Sequence, residues 1–331
     1  MLSFDELMAR TDAPPGSTWG LFGPTDELGM VNLLTADRVL DGIRSVRRGA
    51  VFNLDLPLDA FDPPISYRQP PKHTMVQHIR HHWDDYVDGL WLQGVSQIDG
   101  LRHYMHSDHG YYNRADPAAI KEGSPTIGIN RWSEHGIVGR GVLLDVERHL
   151  AATGDPIDQR TRRAFSADVL DATAEAQGVE VRTGDIVLIR TGWLRHVLQE
   201  MTLDERTEFR ESSDAKVCPG IEQDEATLRW LWDHQVPVLA ADNLGVEALP
   251  TSRQSPYLTS EEDALTDRPW NAGMFHNALI PLLGMALGEL WDMEALAADC
   301  AADGVWEFLL VAKPLNLTGG VGSPANAIAV K

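Results

Sequence analysis

Four short apolar runs limit what this chain can fold into. The stretch Gly136 to Asp145 with its Val142-Leu143-Leu144, then Ile186 to Arg190, Val236 to Ala241 and Trp306 to Ala312, read as buried strands. Each is too brief for a buried helix and lies close to a glycine, proline or aspartate that ends it. Helical patterns fall between them. Ser166-Ala167-Asp168 opens a helix through Ala176, Asp224 is placed to cap Glu225 to His234, and Asp292 to cap Met293 to Ala302, which Gly304 stops. Earlier, Ser3 with Glu6 makes a capping box for a short helix over residues 2–10. Thr35 caps Ala36 to Val46, whose Val39, Ile43 and Val46 share one face, and Val51 to Leu56 alternates as a strand. Strands and helices alternate loosely, without a repeated βαβ period, an internal repeat or a long featureless linker. The expectation is an α/β fold: one domain over residues 1–331, a mixed β-sheet with flanking helices, and an N-terminal arm over residues 1–30.

Composition narrows the class of partner. With 331 residues, 43% of them hydrophobic, the chain can bury a large core. Its formal net charge of −21 argues against nucleic acid and anionic membranes, which are bound through basic patches. A small molecule is the expected partner. Cys218 and Cys300 are the only cysteines, so no disulfide framework is implied and a cytoplasmic location is the simpler reading. The N-terminus lacks the features of a secretory signal, and no run approaches the roughly 18 apolar residues of a membrane span.

Several segments read as connections. The proline-rich stretch Asp59 to Lys72 is expected to be a surface loop lying over something. Thr74 to Trp83, flanked and interrupted by His73, His78, His81 and His82, reads as a strand with exposed imidazoles. Residues 117–134 read as loop with one turn of helix. The glycine-rich tail, Pro314 to Pro324, lacks the Lys-Ser/Thr pair of a phosphate loop. Asp242, at a strand end, suits either a site or a turn.

The chemistry concentrates between Gln93 and His103. In an extended chain Gln93, Val95, Gln97 and Asp99 point the same way, Gly100 permits a bend, and His103 swings back toward the Asp99 carboxylate. Two amide oxygens, a carboxylate and an imidazole then gather in one place, a set that can hold a divalent cation and keep a base beside it.

The stretch resembles the signature of a cyclase family that includes bacterial kynurenine formamidase, isatin hydrolase and trans-dienelactone hydrolase. That signature reads His-x-Gly-Thr-His-x-Asp-x-Pro-x-His. Asp99 and His103 keep its Asp and last His, while Gln93 and Gln97 stand where it has histidines. A longer branch of the family is similar in having Thr-Gln-x-Asp-x-x-x-His and then Tyr-Asn; here these are Ser96-Gln97-Ile98-Asp99, His103 and Tyr112-Asn113. Further similar stretches follow in the family's order: Trp19-Gly20, Asn32 to Thr35, Gly139 to Asp145, Gly184 to Trp193, Asp242 with Val246-Glu247, His276, Glu289 and Pro314-Leu315 with Gly322-Ser323-Pro324.

The resemblance implies a barrel-like mixed sheet, assembly as homodimers or homotetramers, and two more positions. His276 and Glu289 match a His and Glu that bind metal in metal-dependent members, giving a candidate ligand set of Asp99, Gln97, Gln93, His276 and Glu289. Amide oxygens are weak ligands, so a Mn²⁺ or Zn²⁺ ion would be loosely held, or lost. The implied activity is hydrolysis of an amide or lactone in a small cyclic or aromatic molecule, with His103 and Asp99 catalytic and Trp83, Tyr104 and Tyr112 lining the pocket. The alternatives are a metal-free cyclase or dehydratase, and a binding protein without chemistry. No Gly-x-Ser-x-Gly elbow is present to support a serine hydrolase.

Overall fold

The computed structural model describes residues 1–213 and 215–331. The strands among them are, in chain order, β1 (Val51–Asn53), β2 (Lys72–Ile79), β3 (His82–Asp88), β4 (Gln97–Asp99), β5 (Ile137–Asp145), β6 (Ala164–Phe165), β7 (Ile186–Arg190), β8 (Gly220–Ile221), β9 (Val238–Ala241), β10 (Ala286–Glu289), β11 (Glu307–Ala312), β12 (Gly322–Pro324) and β13 (Ala327–Val330). Nine of them form one mixed sheet in the order β1-β13-β11-β5-β7-β9-β10-β4-β12, curled into a half-barrel. The centre, β5-β7-β9-β10, is parallel. Both wings are antiparallel.

Composition explains which strands are central. Every residue of β7 and β9 is buried, as expected of strands covered on both faces. On the wing, β11 alternates buried with half-buried residues. Arg190 fastens this centre. Its Nη1 donates to Asp145 Oδ1 at 2.8 Å, and its Nε and Nη2 donate to Glu294 at 2.7 and 3.0 Å. The ends of β5 and β7 are thereby tied to the helix Glu294–Asp303, which stops at Gly304 with φ 72°.

The helix Ala36–Ser45 lies across β5 and β11, but on a different face from the one its apolar spacing suggests. Gly42 and Ser45 are buried, whereas Leu40 and Ile43 are exposed and Val39 is half-buried. The cause is close approach. A Cβ on Gly42 would stand 2.7 Å from the Gly139 backbone, so small residues make the contact.

Other segments also depart from expectation. Thr74 to Trp83 is not one strand; the chain reverses around Arg80-His81, where His81 takes φ 71°, and β2 pairs with β3. Residues 117–134 hold more than the one helical turn expected: a 3-10 turn at Pro117–Ala119 and most of a helix, Ile129–His135. The tail supplies β12 and β13, of which β12 closes the sheet beside β4. The proline-rich loop does lie over something: its Phe61 and Ile65 are buried in an apolar cluster with Leu56, Val95, Phe209 and Leu249. Among the described residues no helix is long and apolar enough to cross a membrane.

Candidate active site

Strand pairing sets the geometry. Gln97 of β4 lies directly opposite Glu289 of β10, and Asp99, two residues on, projects from the same face. On the other side of β4, Gly322 faces Asp99, and a Cβ there would stand 2.7 Å from Gln93 Nε2. His276 opens the short helix His276–Leu279, and a turn at Gly284 (φ 67°) sends the chain back into β10. Asp99, His276 and Glu289 are all buried, and one ligand atom from each lies within 4.8 Å of the others.

His276 is held between two carboxylates. Its Nδ1 is 2.7 Å from Glu247 Oε1, and its Nε2 is 3.2 Å from Glu289 Oε1. Glu247, buried after β9, also accepts from the Phe275 amide and from Gln223 Nε2, each at 2.7 Å. Gln97 Nε2 donates to Glu289 Oε2. Burial disfavours a charged imidazole, yet the hydrogen bonds to Glu247 and Glu289 outweigh it and raise the His276 pKa to about 10. Burial pushes the Glu289 pKa up, but hydrogen bonding to His276 leaves it below its ordinary value.

Asp99 has no such support. Both its carboxylate oxygens are buried without a hydrogen-bond partner, and so is Gln97 Oε1. Desolvation raises the Asp99 pKa to about 6 against the opposing pull of His103. Buried acceptors without donors carry a desolvation cost that converging ligation to a cation removes. Two carboxylates, an imidazole and an amide oxygen form a donor set acceptable to Mn²⁺ or Zn²⁺. The Glu247 carboxylate on Nδ1 is the outer partner that a metal-binding histidine usually has. The residues present fit a divalent ion.

The remaining predicted site residues divide. After a turn closed by His103 N donating to Gly100 O at 2.9 Å, His103 Nε2 stands 3.7 Å from Asp99 Oδ2, beyond hydrogen-bonding range. Its side chain is 24% exposed, against near-complete burial of the three clustered groups. The Tyr104 ring lies 5.2 Å from that of His276 and 5.6 Å from that of His103, with its hydroxyl 3.3 Å from Met274 Sδ. The Gln93 side chain lies beside Gly322, the β12 residue that faces Asp99.

Two pocket assignments need correction. Tyr112 is fully buried, packs on Gly284 and donates its hydroxyl to Asp26 Oδ2 at 2.9 Å, so it anchors the N-terminal segment. Trp83 is exposed on β3, opposite Gln77, in a separate two-stranded sheet. Asp242 serves a turn: it accepts from Thr191 N and Oγ1 and from Gly192 N at 2.7 to 2.8 Å. Glu247 had no assigned role from spacing. The available signal was an acid inside the otherwise apolar run Val246 to Leu249.

Comparisons with known proteins agree on one family. A family described as "Putative cyclase" matches residues 57–248. The crystal structure of a novel cyclase is similar to this chain at 31% identity and a TM-score of 0.78, covering 95% of this chain and 99% of that one. An isatin hydrolase bound to the product analogue thioisatinate has 14% identity and a TM-score of 0.54, with coverage of 89% and 98%. Isatin hydrolase A from Labrenzia aggregata, bound to benzyl benzoate, gives 14% and 0.53, with coverage of 88% and 97%. At that identity the two hydrolases share the fold. No curated protein matches the chain significantly.

Proposed function

The chain belongs to this cyclase family, and we propose that it is a hydrolase of an amide or lactone bond in a small cyclic or aromatic molecule, assisted by a divalent cation. The observation that carries the reading is Asp99, a carboxylate withdrawn from water with no donor on either oxygen and facing His276 and Glu289. Asp99, His276, Glu289 and the Gln97 amide oxygen would hold the ion. When bound, such an ion polarises a carbonyl and makes water more acidic.

The other tasks fall to this chain's side chains. His103 is the more open imidazole and stands beside Asp99, so Nε2 is the atom to take the proton from an attacking water. The Asp99 carboxylate then lies next to the imidazolium that forms and stabilises it. Glu247 fixes the orientation of His276 through Nδ1, and Gln97 fixes Glu289. Tyr104 packs against the cluster containing Val95, Leu249 and Met274, apolar surface near the site that suits the ring of a cyclic or aromatic substrate.

One observation favours a second reading. His276 is fully paired by Glu247 and Glu289 as an imidazolium, without an ion. The chain would then be a metal-free cyclase or dehydratase using Asp99 and His103 as an acid–base pair. Turnover of a panel of cyclic amides and lactones, measured before and after chelation, distinguishes the two. Hydrolysis lost on chelation and restored by Mn²⁺ or Zn²⁺ supports the first, and activity indifferent to chelation supports the second. Binding without turnover of any member would contradict both.

A further inference from the structure

The proline-rich loop brings a cation toward the clustered acids. Phe61 and Ile65 fix this loop in the apolar cluster with Val95, Leu249 and Met274. The buried Lys216 Nζ donates to Ile65 O at 3.1 Å, and Pro63-Pro64 and Pro70-Pro71 stiffen the backbone on either side. Arg68 leaves this frame half-buried, and with Ile65, Trp91, Gly94 and Val95 it lines a small cavity. Gly94 and Val95 open the segment that leads to Gln97 and Asp99, so Arg68 stands beside the part of the chain that carries the site. Its own contacts are slight. Nη1 is 3.4 Å from Ser66 Oγ, Cζ is 5.6 Å from the centre of the Tyr67 ring, and among the described residues no carboxylate pairs with it. Desolvation governs the Asp99 carboxyl and raises its pKa, but Arg68, like His103, is near enough to pull the other way.

We propose that Arg68 forms a carboxylate-binding subsite, and that the cyclic amide or lactone taken by this chain carries a carboxylate besides the bond to be cleaved. The inference rests on the hydrolase reading above and narrows its substrate class. A guanidinium presents paired N–H donors that match the two oxygens of a carboxylate, and Arg68 has only the long contact to Ser66 to occupy them. Charge points the same way. Asp99, Glu247 and Glu289 repel an anion, so a carboxylated substrate needs a cation set apart from them. The position is also prepared in advance. Trp91 meets the Tyr67 ring edge-on at 5.8 Å, and that ring gives the guanidinium a surface to rest against, which limits the freedom lost on binding.

The test measures binding of phthalide, a neutral cyclic lactone, and of its ring-carboxylated isomers by titration calorimetry, in chelator so that neither turnover nor a metal contributes. Wild type should bind the best carboxylated isomer about tenfold or more tighter than phthalide, the usual effect of hydrogen bonds to a charged partner. Arg68→Gln should bind the two alike, with its affinity for phthalide unchanged, and Arg68→Lys should keep only part of the preference. Equal affinities in wild type, no uptake of any carboxylated isomer, or a preference that survives Arg68→Gln overturns the proposal. Should Arg68→Gln not fold, Arg68→Lys decides, since a full preference without the guanidinium fork refutes the subsite. Turnover separates this from the hydrolase reading. Metal-restored hydrolysis of neutral lactones alone, indifferent to Arg68→Gln, refutes the subsite and leaves that reading standing. A preference that depends on Arg68 without hydrolysis of any member does the reverse.

Discussion

Oε1 of Glu247 lies 2.7 Å from Nδ1 of His276, and the same carboxylate takes two further hydrogen bonds, from the Phe275 amide and Gln223. The imidazole is thereby fixed from behind, with Nε2 turned toward Glu289 and Asp99. Glu247→Gln preserves shape and removes the anion. It should weaken Mn²⁺ or Zn²⁺ binding to the apoprotein by about 10–100-fold, the usual effect of losing an outer-shell carboxylate. Titration calorimetry on the folded variant checks this. A structural role alone would lower the melting temperature and leave the affinity of the folded fraction unchanged.

His103 makes no hydrogen bond to Asp99 at 3.7 Å, so removing it costs little stability. If it is the general base, His103→Ala lowers kcat by about 10² to 10⁴-fold with KM nearly constant, because the lost interaction belongs to the transition state. His103→Gln should be almost as slow, since an amide cannot take the proton. A folded His103→Ala protein with near wild-type turnover would end the assignment.

Gln97 gives its amide nitrogen to Glu289 and leaves Oε1 unpartnered. An imidazole is a stronger ligand than an amide oxygen for zinc. Gln97→His should therefore retain zinc against a chelator that strips wild type, gaining about tenfold or more in affinity on the same ligand-strength argument. Equal loss from both proteins would show that position 97 does not face the ion.

Stability away from the site hinges on Arg190, nearly buried among Asp145, Glu147 and Glu294. Arg190→Met leaves Asp145 buried without its main counter-charge. It should destabilise by about 3–5 kcal/mol, as breaking a buried ion pair from one side does. Urea unfolding midpoints compared with wild type measure it.

What could be read before the structure was local. Ile186–Arg190 appeared as a strand because four apolar residues follow Gly184-Asp185, and Glu225–Asp233 as a helix because Asp224 caps it through Thr227 N. Gln97, Asp99 and His103 are near neighbours, so their meeting follows from alternation and one bend. The rest depends on contacts far apart in sequence. Gly322–Pro324 becomes a strand only because β4 is there to pair with it, and nothing periodic marks three such residues. The face of Ala36–Ser45 is chosen by how closely Gly42 meets Gly139, which outweighs the apolar spacing of Val39 and Ile43. Tyr112 looked like pocket lining because of its position after the motif, but the space beside Gly284 takes its ring into the core. Glu247 reaches His276 across 29 residues, a distance at which spacing carries no information.

The central claim is that Asp99, His276 and Glu289 hold a divalent ion, and the metal content of protein purified without chelator tests it most directly. The account predicts a stoichiometric divalent ion in wild type, lost to mild chelation together with activity, and none in Asp99→Ala. Wild-type protein that turns over its substrate while containing no metal would contradict it.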